Sequence, residues 1–362
     1  MQEYDREIED ILALYSEVTR SIAEEIELSL TPAEETRMAV ARVVSPEAYG
    51  SYLKGRYEMA RWTVLAERRA IEHFQESIRV DPSYAPAHAG LSYAYGILTQ
   101  PLGQGDVQEG ISLARAGYER ALELDPELAD AHSGFGWIHF FYDWDWDAAE
   151  REFRHAVELS PSSVDGHRGL GFFLAVMEHS GEAIPELERA LELAPLALDT
   201  RVIVAEGFEF AREFERAIVE CRYILELDPG FDRARAILER TYETLGRFEE
   251  AIETYAEGRL RADSSAGTLA DIEDLRRMYA SRGPLGYWEW WLQHTDTPGG
   301  RRQSALRMRA LVALGRVDEL MALLQRWYEE RHGNMVLLRS PLYDPVRDEP
   351  RFQALLRKMG LE

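Results

Sequence analysis

The chain has 362 residues, 46% of them apolar, and a formal net charge of −24. That balance argues against sequence-independent nucleic-acid binding, where Lys and Arg neutralise phosphates, and against docking on anionic membranes. Cys221 is the only cysteine, so no intrachain disulfide can form and a reducing compartment fits. Lys54 and Lys358 are the only lysines and Asn334 the only asparagine, so nearly all basic residues are Arg. No apolar run approaches the ~18 residues of a membrane span, and the acidic start Met1-Gln2-Glu3-Tyr4-Asp5 lacks a signal-peptide pattern. A cytoplasmic protein is expected.

Residues 4–30 read as one amphipathic helix, with Ile8, Ile11, Leu12, Tyr15, Val18, Ile22 and Ile26 at three- and four-residue steps. Thr31-Pro32-Ala33-Glu34 is a capping box that starts a second, shorter helix. Ser45-Pro46-Glu47 starts the next helix in a similar way. From there X-Pro dipeptides recur at Asp81-Pro82, Asp125-Pro126, Ser160-Pro161, Ala194-Pro195 and Asp228-Pro229, the last three steps being 35, 34 and 34 residues. Each follows a small residue, an aliphatic, Glu or Arg, and Leu or Val, as in Ala190-Leu191-Glu192-Leu193.

The units run about 46–82, 83–126, 127–161, to Pro195, to Pro229, and to Asp263 where Asp replaces Pro. The second carries an insertion, 99–106, whose Pro and glycines predict a loop. The third has one extra residue in its turn. Ala70, Ala149, Ala183, Ala217 and Ala251 recur early in the second helix of each pair. Four residues on come Phe74, Phe153, Leu187, Cys221 and Tyr255, a small–large alternation suited to helix crossings. Leu245-Gly246-Arg247-Phe248 predicts a turn with Gly in the left-handed position and Phe plugging the hairpin. After Asp263 the pattern decays: Gly283-Pro284-Leu285-Gly286 breaks the turn, an aromatic helix follows, and Leu314-Gly315-Arg316-Val317 restores the form. A last helix runs from Pro350 to Met359.

A period of about 34 built from two helices and a Pro stop is the signature of tetratricopeptide repeats. The expected fold is all-α: a right-handed superhelical α-solenoid of antiparallel helix pairs. Its divisions are an N-terminal helical extension (1–45), six repeats (46–263), two degenerate pairs (264–333) and a C-terminal cap (334–362). The chain also resembles the C-terminal part of bacterial multidomain regulators. In these a repeat array follows a small α/β domain similar to the N-terminal domain of TolB, behind a winged-helix, adenylate cyclase or Ser/Thr kinase effector. The resemblance rests on Asp10-Ile11-Leu12-Ala13-Leu14 with Leu30-Thr31-Pro32, Pro46-Glu47-Ala48-Tyr49 with Tyr52-Leu53-Lys54-Gly55-Arg56-Tyr57, Tyr142-Asp143-Trp144-Asp145-Trp146, and Asp344-Pro345-Val346-Arg347-Asp348 with Pro350-Arg351-Phe352. It supplies no enzymatic activity, since the effector is not in this sequence.

Candidate chemistry is sparse. His88, His132 and His167 hold the fourth position of successive repeats, too far apart to ligate one ion, and are assigned to helix packing. Asp143, Asp145 and Asp147 start like a calcium loop, but Ala148 stands where Gly is needed, so the reading is a turn braced by Trp144 and Trp146. Cys221 aligns with core residues and is expected to be an inert thiol. Gly90, Gly134 and Gly169 share one repeat position and read as close helix packing. Trp288, Trp290, Trp291 and His294, in the Tyr287–His294 stretch, read as a capping cluster. No cofactor, metal or catalytic residue is expected, and an enzyme is not.

In tetratricopeptide arrays the first helix of each pair lines a concave groove. The resemblance puts Tyr93, Trp137, Phe140, Phe141, Arg168, Phe172, Glu206, Glu209, Phe210, Arg233, Arg240 and Glu243 there, an aromatic–Arg mixture typical of binding hot spots. Asparagine is absent from those positions. That excludes the chaperone-tail clamp and the asparagine ladder of the O-linked sugar transferase. The leading expectation is a non-catalytic scaffold binding a peptide or protein, as a sensory or docking arm of a regulator. The alternative is self-association through the N-terminal amphipathic helix.

Overall fold

The computed structural model describes residues 44–99, 106–295 and 301–361, with side chains from residue 305 in the last stretch. The sequence-predicted helix over 4–30, the Thr31–Glu34 capping box of the second helix and most of the 99–106 loop lie outside the described residues. Among those described, all regular structure is helical. Six pairs of a first helix (A) and a second (B) run Pro46–Met59 with Val64–Val80, Ala85–Thr99 with Val107–Leu124, Ala129–Ile138 with Trp146–Leu159, Val164–Val176 with Ser180–Leu193, Leu198–Phe210 with Phe214–Leu227, and Asp232–Thr244 with Phe248–Ala262. Each helix A packs on its own helix B and on the helix A of the next unit, so the A helices form the inner layer.

The small–large alternation has a direct packing cause. Phe74 of the first helix B is fully buried, and its ring lies against both Gly55 of its own helix A and Gly90 of the next. A Cβ at either glycine would come within 2.6 Å of the ring. Phe153 is wedged in the same way between Gly136 and Gly169, and Leu187 between Gly171 and Gly207. The recurring glycines thus let one large B-helix side chain join two successive A helices. Ala70, Ala149, Ala183, Ala217 and Ala251 are all fully buried at the A–B crossings. Cys221 is buried with them, and burial pushes its thiol well above its ordinary range.

The X-Pro turns are held by side chains. His88, His132 and His167 each place Nε2 3.0 Å from the carbonyl oxygen of the proline six residues back, Pro82, Pro126 and Pro161. Arg201 and Arg235 do the same for Pro195 and Pro229, at 2.8 and 2.5 Å. The histidines therefore pin their own turns, a more local role than packing on a neighbouring helix. His132 Nδ1 meets Glu152 at 2.7 Å and His167 Nδ1 meets Glu186 at 2.5 Å. An acceptor at each nitrogen favours the doubly donating, protonated form of both imidazoles. The carboxylate bonds accordingly raise both histidines above their ordinary range, against a smaller opposing effect of burial.

The extra residue of the third unit is absorbed as a π turn, His139–Asp143, continuing helix A. Asp145 then caps helix B by accepting from the Ala148 N–H at 3.0 Å, and Asp143 pairs with Arg115 and His139. At the start of the first unit Pro46 takes the first helical position as expected, but the Ser45 side chain makes no cap bond.

The A–B turns need a left-handed residue. Among the described turns glycine supplies it at Gly246 (φ 71°) and Gly315 (φ 64°), whereas Trp62, Trp144, Glu178 and Arg212 adopt it in units one, three, four and five. Each of these four side chains reaches another part of the chain. Trp62 lies under the Arg233 guanidinium, 4.6 Å from ring centroid to Cζ. Trp144 packs on Tyr328 at 5.7 Å and carries the Arg331 guanidinium over its ring at 4.9 Å. Glu178 pairs with Arg347 at 3.1 Å, and Arg212 with Asp344 at 2.7 Å.

The last three contacts belong to a fold-back. After the sixth unit come Ala266–Arg282, Pro284–His294, Arg301–Ala313 and Val317–Glu329, then two 3-10 turns, Gly333–Leu337 and Pro341–Val346, and the helix Pro350–Met359. This C-terminal arm lies on the A–B turns of units three to five. Trp146 Nε1 donates to the Met359 carbonyl at 2.7 Å, Arg331 to that of Tyr142 at 3.2 Å, and Arg339 to that of Met177 at 3.0 Å. The sequence assigns Trp144 and Trp146 to bracing their own hairpin. Trp146 does pack on Phe140, but the outward work of both indoles is to hold the cap.

Candidate binding site on the inner face

The inner face divides into a filled half and an open half. In the filled half the predicted groove residues satisfy one another. Arg233 pairs with Glu206 at 2.6 Å, and Arg240 bonds Glu206 at 3.0 Å and Glu209 at 2.7 and 2.6 Å. Glu243 accepts from Arg309 at 2.7 Å and from the Tyr287 hydroxyl at 2.5 Å, with burial raising its carboxyl to about 7. Trp62 of the first turn covers Arg233. Phe140, Phe172 and Phe210 are buried and stack edge-on with one another, so they are core and not exposed anchors. The reason is geometric: the first turn and the C-terminal pairs pack where an open solenoid would leave a groove.

Glu67 shows what this closure costs. It is fully buried in the second helix, and neither carboxyl oxygen has a hydrogen-bond partner. Burial first, and the charge of Asp199 second, push its carboxyl up to about 9, so it is neutral at pH 7.

The open half is a small, shallow recess, partly open to solvent, among the A helices of units one to four. Tyr93 and Trp137 line it, with Tyr52, Tyr118, Arg56, Asp130, Asp165 and Arg168. Trp137 is half-buried and stacks on Phe141 at 5.7 Å and 18°. Arg168 is 1% exposed and serves as the floor. Its Nη2 donates to the Tyr93 hydroxyl at 3.1 Å and pairs with Asp165, and its Nη1 stands 3.5 Å from Asp199. Arg56 Nη1 donates to Tyr52 at 3.1 Å and is 3.7 Å from Asp130. Of the predicted groove residues, then, Tyr93, Trp137, Phe141 and Arg168 converge near one recess. Arg56, Asp130 and Asp165 complete it, and sequence reasoning misses all three. Asp130 and Asp165 each stand two residues before the repeat's histidine, His132 and His167, at the second position of their units, so the repeat register was the available signal.

Tyr287, Trp288, Trp290 and Trp291 are all buried under the sixth pair, with Trp290 stacked on His294 at 3.8 Å and donating to Asp274. They form a packed aromatic cluster. Among the described residues no group of three or more His, Cys, Asp or Glu could hold a metal, and no helix is long and apolar enough to cross a membrane.

No protein-family model matches the chain. A Rhizobium meliloti (strain 1021) protein named "Putative adenylate cyclase 3" is 31% identical over 133 residues, 36% of this chain and 22% of that protein. The chain therefore spans about a fifth of that relative's length. Among solved structures, the human IFIT1 dimer with PPP-AAAA aligns over 82% of this chain and 68% of its own, with TM-score 0.50 and 14% identity. A thermophilic TPR protein of Thermus thermophilus, TTC0263, aligns over 54% of this chain and 98% of its own, with TM-score 0.40 and 14% identity. YrrB, a TPR protein with an unusual peptide-binding site, aligns over 56% and 97%, with TM-score 0.35 and 21% identity. On its repeat length, its six A–B pairs and its inner layer of A helices, the chain has the tetratricopeptide-repeat fold, an all-α solenoid.

Proposed function

We propose that the protein is a non-catalytic docking scaffold that binds a peptide or protein segment in the open half of its inner face, as the docking arm of a bacterial regulator. One observation carries the reading. Intrachain pairing fills the face around Arg240 but leaves Tyr93, Trp137 and Arg56 around a recess. Exposed aromatic and Arg side chains around a concavity are the usual anchors of protein recognition. The partial match to a cyclase-named protein agrees with an array attached to a catalytic effector. A peptide array probed with the wild type, Trp137→Phe and Arg56→Gln tests the assignment. Loss of the same spots in both variants is expected; an unchanged pattern in both rejects the recess.

A second reading is self-association at the N-terminal end. On the first described helix Leu53 is 47% and Tyr57 70% exposed, one turn apart. The apolar stripe over 4–30 lies outside the described residues. Light scattering with and without residues 1–30 decides it, and an identical monomer mass in both would end it.

A further inference from the structure

The contact that closes the filled half of the inner face is narrow and poorly matched, a property independent of the docking reading above. The first two units have packed cores of their own. One is built on Met59, Ala70 and Phe74, the other on Ala114, Tyr118 and Ile138. The main core runs from Phe140 to Leu361, and Trp62 and Ile97 are the buried residues of the first two units that join it. Tyr93 packs on all three cores and so stands at their junction. A segment with its own core, attached elsewhere through a few side chains, is suited to move as a unit.

Two groups of the first pair reach across to later units. Trp62 covers the Arg233 guanidinium at 4.6 Å, holds a left-handed backbone (φ 49°) to do so, and buries an Nε1 that has no acceptor. Glu67 is fully buried, with Asp199 of the fifth unit and Tyr93 of the second as its titratable neighbours. Neither of its oxygens has a donor. Arg168 of the fourth unit bonds Tyr93 and stands 3.5 Å from Asp199, yet its buried Nε has no acceptor. Closure thus strands buried donors and acceptors that solvent would satisfy in an opened form.

We propose that the first two helix pairs form a gate over the inner face of units five and six, hinged near Tyr93 and latched by Trp62 on Arg233 and by the burial of Glu67. Opening uncovers Arg233, Glu206 and Asp199, so a ligand of that face must displace Trp62. The latch also has a pH sign. Burial, then the charge of Asp199, push the Glu67 carboxyl up to about 9 in the closed gate, and wetting returns it to the ordinary carboxylate range. The closed gate therefore keeps a proton that the open one loses. The open-to-closed ratio should rise about tenfold per pH unit above the ordinary carboxylate range and level off beyond about 9. Tyr93, which burial holds at about 12, does not titrate in that window, and Arg168 stays charged.

The test uses the full chain labelled with 5-fluorotryptophan, the Trp62 signal being assigned with Trp62→Phe. Fluorine NMR in H2O and D2O from about pH 7 to about pH 10 reads the solvent isotope shift, and small-angle X-ray scattering reads the radius of gyration. The isotope shift of Trp62 should grow with pH and the radius should rise in step, while Trp290 and Trp327 in the main core stay dry. Glu67→Gln, neutral at every pH, should keep Trp62 dry and the radius constant throughout. Arg233→Gln removes the seat of Trp62 and should raise the open-to-closed ratio at every pH, Glu206 keeping Arg240 as its partner. A Trp62 that stays dry in the wild type to the top of the range overturns the gate. So does wetting of Trp290 at the same pH, which is global unfolding. Wetting of Trp62 with an unchanged radius reduces the motion to a frayed turn and overturns the hinge. The same pH profile in Glu67→Gln, or a Trp62 indifferent to Arg233→Gln, overturns the latch.

Discussion

Gly169→Ala tests the wedge that joins successive A helices. An added Cβ would lie 2.4 Å from Phe153 Cε1 and 2.6 Å from Cδ1, about an ångström inside ordinary contact. The ring cannot retreat, because a Cβ position at Gly136 on the other side is already 2.7 Å from it. Overpacking of this kind costs about 1–3 kcal/mol, while Gly to Ala in a helix returns about 1 kcal/mol. The net expectation is a loss of about 0–2 kcal/mol, against a gain at a site with free space. Gly96→Ala is the control: nothing lies within 4 Å of its Cβ, so only the helix gain of up to about 1 kcal/mol remains. Urea unfolding followed by circular dichroism gives both values. Phe153→Leu supplies the coupling term, since a smaller wedge should make Gly169→Ala less costly by about 0.5 kcal/mol or more. If the two glycine substitutions have equal effects, or if Gly169→Ala costs the same with Phe153→Leu present, the wedge argument is wrong.

Three further expectations are independent of that one. Because carboxylate bonding raises His167 in the folded state, its contribution is complete below the ordinary histidine pKa and fades as the pH climbs through the raised one. His167→Arg should keep the turn, as Arg201 does at the next unit, and abolish that part of the slope in urea midpoints above the ordinary histidine pKa; an unchanged slope counts against the two-acceptor picture. Glu67→Met removes a buried carboxyl whose oxygens are unbonded, and should stabilise by about 1–3 kcal/mol. It should also remove the decline in stability as pH rises from 4.5 towards about 9, and a destabilised variant would show that Glu67 has a partner. Trp146→Phe deletes the bond to the Met359 carbonyl, worth about 1 kcal/mol, so amides of 350–359 should exchange about fivefold faster with the B helices unaffected; equal rates would mean the cap does not depend on this indole.

How far the sequence could be read follows from the range of each interaction. The helix pairs, the buried alanines, Gly246 and Gly315 at their turns and the packing glycines all rest on contacts within one or two units, which a periodic sequence displays directly. The role of the histidines was half visible: the six-residue step from Pro to His or Arg is present at five turns, but only the geometry shows the carbonyl as the target. The extra residue of the third unit was seen, whereas its absorption as a π turn was not. The fold-back was invisible. Trp146 and Met359 are 213 residues apart, and a contact at that range leaves no period to find. For the same reason the groove positions misled. They assume an open face, and nothing local to Glu206 shows that Arg233 will pair with it under Trp62, nor anything local to Phe172 and Phe210 that they will be buried.

The four turns that spend a non-glycine residue on a left-handed backbone have a further meaning. A side chain there costs about 1–2 kcal/mol of backbone energy, and Trp144, Glu178 and Arg212 stand at three consecutive turns facing Tyr328, Arg347 and Asp344 in that order. An open solenoid tolerates gain or loss of a repeat because each unit knows only its neighbours. Here the C-terminal arm works as a ruler laid along three graduations, and a unit inserted between the fourth and the sixth would carry the arm's root away from its marks. The number of repeats in this protein is thereby written into its tertiary structure, and its evolution should proceed by substitution within units more readily than by duplication of them.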